Sequence, residues 1–381
     1  MRVAAVLVTH NRPQLLLQAL AALRAQTRPL DAIYIVDNGS DPPCTPGGTG
    51  GIGVPGRPDE VTLLRSSVNL GGAGGFAMGM AHAFAAGHDW IWLLDDDAMA
   101  RPDALAQLLG AAAELGAGAD LDRDRVPGTG TVVGTSAGTV AGPAPGAVTG
   151  ASAAASKAIG ALCGTVREFG GIALRHRRHY HLPTGIELPL PRAAYDGPPC
   201  RVDTASFVGF LVSASAIAEV GMPERGFFLG YDDTEYALRL QRAGRSVWLV
   251  PGSVVEHLRA RRARLRAGPF GPKHYFTIRN RIAVARAYAT LPLVPTLVAL
   301  LFGLALWVVS GGRLRRGAVS TLLRAAGDGV SGRLGPFPEA LARRQAQPAG
   351  PLAGPTTTDP LEGAAGTGPP QGSTGTGPGR A

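Results

Sequence analysis

Cysteine is scarce in this chain: Cys44, Cys163 and Cys200 are the only three in 381 residues. They are odd in number, far apart and form no CxxC pair, which excludes a disulfide scaffold and points to reduced thiols in a cytosolic catalytic domain. Lysine is nearly absent, with only Lys157 and Lys273 among 37 basic residues. Together with abundant Ala, Gly and Pro, that bias reads as the mark of a GC-rich genome. Aromatic residues make up 6%. No RNP-type aromatic motif and no zinc-finger spacing occur, so nucleic acid is not expected as a partner despite a net charge of +9. A basic balance serves anionic lipid or phosphorylated ligands equally well. The first residues carry no signal-peptide pattern and run straight into a strand-like segment. Long apolar runs are missing as well, with one exception near the C-terminus.

What is present is alternation. Val3–Val8 is a short apolar run of the kind found in buried parallel strands, and it ends at Thr9-His10-Asn11-Arg12-Pro13. A helical pattern follows through Leu15, Leu16, Leu20 and Leu23. Ala32–Val36 is a second strand, closing on Asp37-Asn38-Gly39-Ser40-Asp41. Residues 42–58 are rich in Gly and Pro and read as a surface loop. Val61–Leu64 is a third strand, followed by a glycine-rich turn at Asn69–Gly75 and a helix to about Ala86. Trp90–Leu94 is a fourth strand, and it runs into Asp95-Asp96-Asp97. Strand and helix repeated in this way predict an α/β doubly wound sheet, whose ligands bind beyond the carboxyl ends of the strands. Those ends carry Thr9–Asn11, Asp37–Ser40 and Asp95–Asp97.

Residues 116–158 are dominated by Ala, Gly, Thr and Pro and read as a flexible insertion. Glu168–His181 suggests a hairpin or meander, Val202–Ser213 is strand-like, and Phe227–Tyr231 leads into a second acidic cluster. Thr234–Ala243 reads as a helix and Val247–Val250 as a strand ending at Pro251. Tyr288–Val309 is apolar and uncharged, about the length of a bilayer-crossing helix, with Arg281 and Arg286 before it and Arg313, Arg315 and Arg316 after it. Membrane contact, spanning or lying in the interface, is the expectation, without a preferred orientation. Beyond Gln345 the Gly/Pro/Thr-rich tail should be disordered.

A charged run directly after an apolar strand needs something to neutralise it. Mg²⁺ or Mn²⁺ favours carboxylates and phosphate oxygens, and alternation along a strand end makes Asp95 and Asp97 a natural pair. A solvated acidic turn is the bland alternative. Asp37–Ser40 fits an Asx turn, and its position also suits recognition of a base or ribose. Asn69–Gly75 would let backbone N–H groups approach a phosphate, and Gly72-x-Gly74-x-x-Ala77 is a loose dinucleotide fingerprint. Asp232-Asp233-Thr234-Glu235 opens a helix; the acids could answer the helix dipole or supply a general base. His257 follows the last core strand, as a structural histidine or as a ligand.

These segments together resemble the family 2 glycosyltransferases of the GT-A fold, from about Val3 to Arg286, with 116–158 unmatched. Val6–Arg12 looks like that family's first nucleotide-binding strand, Val36–Ser40 like its second, and Leu93–Ala98 like its metal-binding DxD element. Within the family the chain is most similar to actinobacterial galactofuranosyltransferases of the galactan-initiating type, through Asn69–Phe76, Asp95–Ala98 and Phe228–Tyr236. Lys273–Arg281 is similar to the segment before their membrane-associated C-terminus.

The resemblance implies a Rossmann-like nucleotide-binding half, an acceptor half and a membrane-associated helical segment, divided as 1–286, 287–344 and a tail 345–381. It implies transfer of galactofuranose from UDP-galactofuranose to a polyprenyl-diphosphate-linked glycan at the cytoplasmic face of the membrane. In that reading Asp95, Asp97 and His257 hold the metal, and Asp233 is the catalytic base. Asp232 and Glu235 hold acceptor hydroxyls or nearby basic groups. Thr9, Asn11, Arg12, Asp37, Asn38, Asn69 and Gly72 surround the donor, and Asp96 serves metal, sugar or ribose. Rhamnosyltransferases using dTDP-rhamnose share these motifs. A Rossmann-type oxidoreductase would need glycines after the first strand, where Thr9-His10-Asn11 stands. A non-catalytic membrane scaffold would be indifferent to Asp95.

Overall fold

Residues 1–46, 52–54, 61–124, 159–258, 270–310 and 317–346 are described by a computed structural model. The nucleotide-type half is β1 (Val3–Thr9), α1 (Pro13–Arg24), β2 (Ala32–Asn38), the short pair β3 (Cys44–Pro46) and β4 (Ile52–Val54), β5 (Val61–Ser66), α2 (Gly71–Ala85), β6 (Trp90–Asp95), β7 (Ala98–Ala100) and α3 (Ala104–Asp124). There follow β8 (Ile159–Glu168), β9 (Gly171–Ile172), β10 (Arg177–His181), β11 (Ile186–Pro189), β12 (Cys200–Val202), β13 (Thr204–Ala205), β14 (Phe210–Ser213), α4 (Ala214–Val220), α5 (Asp232–Arg242) and β15 (Ser246–His257). Four C-terminal helices complete the described chain: α6 (Pro272–Tyr288), α7 (Leu293–Val309), α8 (Ala318–Ser331) and α9 (Glu339–Ala346). Residues Met1–Gln345 form one compact unit.

The main sheet has the order β12-β15-β8-β14-β6-β1-β2-β5. Strands β5, β2, β1 and β6 are parallel. Strand β14 is antiparallel to both β6 and β8, while β15 is parallel to β8. The carboxyl ends of β1, β2, β6, β8 and β15 therefore all emerge at one edge, although the sheet is mixed. The apolar run of β1 is wholly buried because both faces are covered. Val3, Ala5 and Leu7 pack with Leu16, Leu20, Leu105 and Leu108 on one face. Ala4, Val6 and Val8 pack with Phe76, Met80, Tyr236 and Leu240 on the other. Each fully buried aliphatic side chain contributes roughly 1.5–3 kcal/mol, so this central strand anchors the positions of the loops at its end.

Several expectations are corrected. Gly71–Gly75 do not form a turn ahead of a helix; they form the first turns of α2, and the loose dinucleotide fingerprint lies inside it. The glycines serve packing. A Cβ on Gly75 would stand 2.6 Å from Val8 Cγ1, and one on Gly79 2.3 Å from Val6 Cγ1. At Gly71, with φ of +72°, a Cβ would meet the Phe228 carbonyl oxygen at 2.0 Å. The strand expected to stop at Pro251 continues to His257, accommodating the proline through a register shift between Val250 and Val254. Val202–Ser213 divides into β12, β13 and β14 rather than one strand. Helix α3 runs into the Ala/Gly-rich segment as far as Asp124, since alanine and leucine favour helix over loop. Residues 125–158 of the expected insertion, and the tail from 347 onward, lie outside the described residues.

The apolar C-terminal segment is not one long helix. Tyr288 ends α6, and the prolines at 292 and 295 fall where α7 begins, as proline's fixed φ and missing donor favour. Among the described residues no helix is long and apolar enough to cross a membrane. Helix α6 packs through Tyr275, Phe276, Ile278 and Ile282 against Ala299 and Ala325 of the next two helices.

Candidate active site

The site forms where the strand ends converge. Strand β6 delivers Asp95, and the turn after it delivers Asp96 and Asp97. Short strand β7 then pairs antiparallel with the end of β15, setting His257 opposite Ala98, and the Leu258 amide donates to the Asp97 carbonyl. That register brings a histidine 160 residues downstream to the aspartates: His257 Nε2 lies 3.1 Å from Asp97 Oδ1. One ligand atom from each of Asp95, Asp97 and His257 falls within 4.8 Å of the others. Two carboxylate oxygens and an imidazole nitrogen form a donor set that fits a hard or borderline divalent ion such as Mg²⁺ or Mn²⁺.

Electrostatics supports the same grouping. Burial, then the neighbouring Asp97, pushes Asp95 up to about 7. Burial would lower the His257 pKa, yet Asp97, Asp95 and Glu168 outweigh it and raise it. Burial also works against ionisation of Asp97, but its contacts with His257 and Arg12 hold it below the ordinary carboxylate range. Crowded carboxylates beside a histidine and an arginine are a place where a divalent cation relieves repulsion. Arg12 Nη1 donates to Asp96 Oδ1 and Asp97 Oδ2, both at 3.0 Å, from a half-exposed side chain. Asp96 is additionally held by the Thr9 hydroxyl at 2.8 Å, which leaves it pinned and buried at the end of β6.

The residues expected on the donor side divide into those that touch the aspartates and those engaged in the neighbouring loops. Thr9 and Arg12 touch the aspartates directly. Asn11 takes the left-handed conformation, with φ of 55°. Its amide donates to Ser40 Oγ at 3.0 Å, and its side chain accepts from the Asp41 amide at 2.8 Å. Asp37 is completely buried, and its two carboxylate oxygens accept from the Ser40 amide at 3.0 Å and the Cys44 amide at 2.9 Å. It is the Asx turn, shaping the loop rather than presenting a carboxylate. Asn38 is likewise spent on structure, bonding the Leu70 amide, the Gly71 carbonyl and the Asn69 side chain. Asn69 accepts from the Gly71 amide at 2.8 Å, and Gly72 has open space where a Cβ would be.

The second acidic cluster sits at the start of α5. Asp232 is buried, and its pKa is raised well above the ordinary value by burial, by Asp233 and by Asp95. The charge of Asp95 thus reaches the start of this helix. Asp233 is raised by burial and lowered by the guanidinium of Arg178. Its Oδ1 accepts from the Thr234 amide at 2.6 Å, and Arg178 Nη2 donates to Thr234 Oγ1 at 2.9 Å. Glu235 does not open to the cleft. Arg239 and the Tyr288 hydroxyl hold its carboxylate at 2.8 Å and 2.6 Å.

The loop before α5 is strained and clamped. Phe228 and Tyr231 take positive φ values of 62° and 67°. From α6, Arg279 donates to the carbonyls of Gly226 and Phe227, and Asn280 Nδ2 donates to those of Phe227, Leu229 and Gly230. Sequence reasoning missed these two clamps, and also Arg178, Glu168 and His176. For Glu168 a signal existed: it closes an apolar strand, as Asp95 does.

Comparison with known proteins gives this geometry a context. The model of glycosyl transferase family 2 matches residues 4–136 of the chain. Galactofuranosyltransferase GlfT1 of Mycolicibacterium smegmatis is 50% identical over 95 residues, which are 25% of this chain and 30% of that protein. Its counterpart in Mycobacterium tuberculosis is 47% identical over 112 residues, 29% of this chain and 36% of that protein. The matched region thus spans about a third of the length of these relatives. A crystal structure of GalNAc-T7 with UDP, GalNAc and Mn²⁺ superposes over 75% of this chain and 48% of that one, with a TM-score of 0.46 and 13% identity.

Proposed function

We propose that this family 2 glycosyltransferase transfers galactofuranose from UDP-galactofuranose, with inversion, to a polyprenyl-diphosphate-linked glycan at the cytoplasmic face of the membrane, in cell-wall galactan or polysaccharide synthesis. The observation that carries the reaction class is the grouping of Asp95, Asp97 and His257 at the strand ends, with the buried Asp232 of α5 feeling the charge of Asp95. The choice of donor rests on the 47–50% identity to galactofuranosyltransferases over the matched segment.

The division of labour follows from the contacts. A divalent ion at Asp95, Asp97 and His257 would neutralise the diphosphate as it leaves. Arg12 is the half-exposed cation beside the aspartates, able to pair with donor phosphate once the aspartates are otherwise engaged. Asp233 takes the proton of the acceptor hydroxyl, with Thr234 and Arg178 fixing its orientation. A donor panel on membranes bearing lipid-linked acceptor tests this reading. Transfer from UDP-galactofuranose should exceed that from dTDP-rhamnose by at least tenfold. A preference for dTDP-rhamnose would reassign the donor, and no turnover with either, together with indifference to Asp95→Ala, would reduce the chain to a scaffold.

The C-terminal helices support the membrane part of the proposal. Leu293, Leu297, Leu301, Leu304 and Val308 recur at helical spacing along α7 and remain largely exposed, as does Leu323 of α8. An exposed apolar face of this kind suits contact with the apolar edge of a bilayer, and the arginine-rich flanks suit anionic headgroups. Replacing Leu297 and Leu301 with Glu should weaken co-sedimentation with anionic vesicles roughly tenfold or more, since each buried leucine contributes about 1.5–3 kcal/mol. Unchanged vesicle binding would remove the membrane assignment. A shift from dimer to monomer in lipid-free buffer would reassign the face to self-association.

A further inference from the structure

Beneath the metal triad lies a second layer of polar side chains that none of the sequence motifs announces. Strand β8 ends at Glu168, beside the end of β15, because the two strands run parallel in register, with Glu256 opposite Arg167. Glu168 Oε1 lies 2.9 Å from His257 Nδ1 and 3.1 Å from His176 Nε2. Arg175 Nη2 adds a contact at 2.6 Å. The carboxylate is buried, so it is committed to these three donors. His176 Nδ1 is in turn 2.7 Å from Ser206 Oγ, while Arg177 Nη1 donates to that same oxygen at 3.2 Å. The Ser206 hydroxyl hydrogen is therefore available to His176 Nδ1, which places the His176 proton on Nε2, toward Glu168.

Resting on the metal reading above, we propose that Glu168 is the positioning residue of the metal centre, with His176 and Arg175 fixing it in turn. Glu168 accepts the Nδ1–H of His257. This sets the ring's tautomer and rotation so that the Nε2 lone pair, once its proton is released, points toward the point shared with Asp95 and Asp97. A ligating histidine needs its second nitrogen anchored in this way, and removing the anchor commonly weakens metal affinity 10- to 100-fold. The alternative is that Glu168 is only a structural ion-pair acceptor for Arg175. The two differ in one respect: a positioning role acts through His257, whereas a structural role does not.

The test is a Mn²⁺ titration of the full-length protein, following free Mn²⁺ by electron paramagnetic resonance, with a double-mutant cycle. Glu168→Ala should weaken Mn²⁺ binding by 10- to 100-fold. Glu168→Gln, which keeps the shape and one accepting oxygen, should fall at the lower end of that range and guards against loss of fold in the alanine variant. In a His257→Ala background, Glu168→Gln should cause no further loss, because the residue it orients is gone. The proposal is overturned if either Glu168 variant binds Mn²⁺ as tightly as the wild type, or if the loss is equally large without His257. Absence of Mn²⁺ binding in the wild type would instead overturn the metal assignment on which the proposal stands.

Discussion

Asp233→Asn is expected to reduce sugar transfer by roughly 10²- to 10⁴-fold, the usual worth of a positioned general base, while UDP binding stays within a few-fold of the wild type. Asparagine keeps the size of the side chain and can still accept from the Thr234 amide through its oxygen, so the start of α5 should hold its shape. What it loses is the ability to receive a proton. The neighbouring Asp232 cannot take over. It is the more deeply buried of the two, and burial and the charge of Asp95 still push it away from ionisation when the Asp233 carboxylate is gone. Asp232→Asn should accordingly retain much more activity than Asp233→Asn. The reverse order, measured as initial transfer rates at saturating donor, would exchange the two roles.

The same environment gives the reaction a pH signature. A base must be ionised to work, and Asp233 has a pKa raised above the ordinary carboxylate value because burial outweighs the attraction of Arg178. Activity should therefore be complete above that raised pKa and fall as the pH drops through it, so that the acid limb lies above the range of a solvated aspartate. Removing the guanidinium with Arg178→Met should move that limb to still higher pH. An acid limb that stays in place would separate Arg178 from the base.

Much of this site was legible from the residues, and the parts that were not have physical reasons. Apolar runs closing on Thr9, Asp37 and Asp95 read directly as parallel strands, because burial on both faces leaves no alternation to confuse the pattern. The glycines at 71–75 carried two meanings in sequence: a phosphate-binding turn and a close helix-to-strand contact both require a missing Cβ. The Val8 contact of Gly75 shows the second, while Gly71 meets the Phe228 carbonyl of the loop before α5. Asp37 and Asn38 carry the right residue types in the right place, yet their hydrogen bonds are consumed by backbone amides and by Asn69. The link from His257 to the aspartates depends on the pairing of β7 with β15, a non-local register that no spacing reveals. Glu168 depends on the pairing of β8 with β15 in the same way. Proline at 292 was visible as a break, but whether it interrupts or merely bends an apolar run is settled by packing against α6.

Stripping divalent ions with a chelator is expected to abolish transfer, and Asp97→Ala to lower it by about three orders of magnitude even with Mn²⁺ in excess, for a loss of about 4 kcal/mol of charge stabilisation. Asp97 is the residue on which the centre turns, since Oδ1 faces His257 Nε2 and Oδ2 accepts from Arg12. Arg12 carries its charge permanently, and the carboxylate neighbours of His257 raise its pKa and so favour its protonated form. The carboxylates are thus neutralised from within when no ion is bound. Chelation should consequently leave the melting temperature nearly unchanged while activity disappears, which distinguishes a metal used for chemistry from one that holds the fold. Loading has the opposite requirement: the ion must displace the Nε2 proton of His257 and free Asp97 from Arg12. Arg12→Ala should then bind Mn²⁺ more tightly but donor more weakly, because the competitor for Asp97 and the partner for phosphate are the same side chain. If Mn²⁺ and UDP affinities fall together in that variant, Arg12 is a structural clamp for the aspartates and takes no part in exchanging one charge for another.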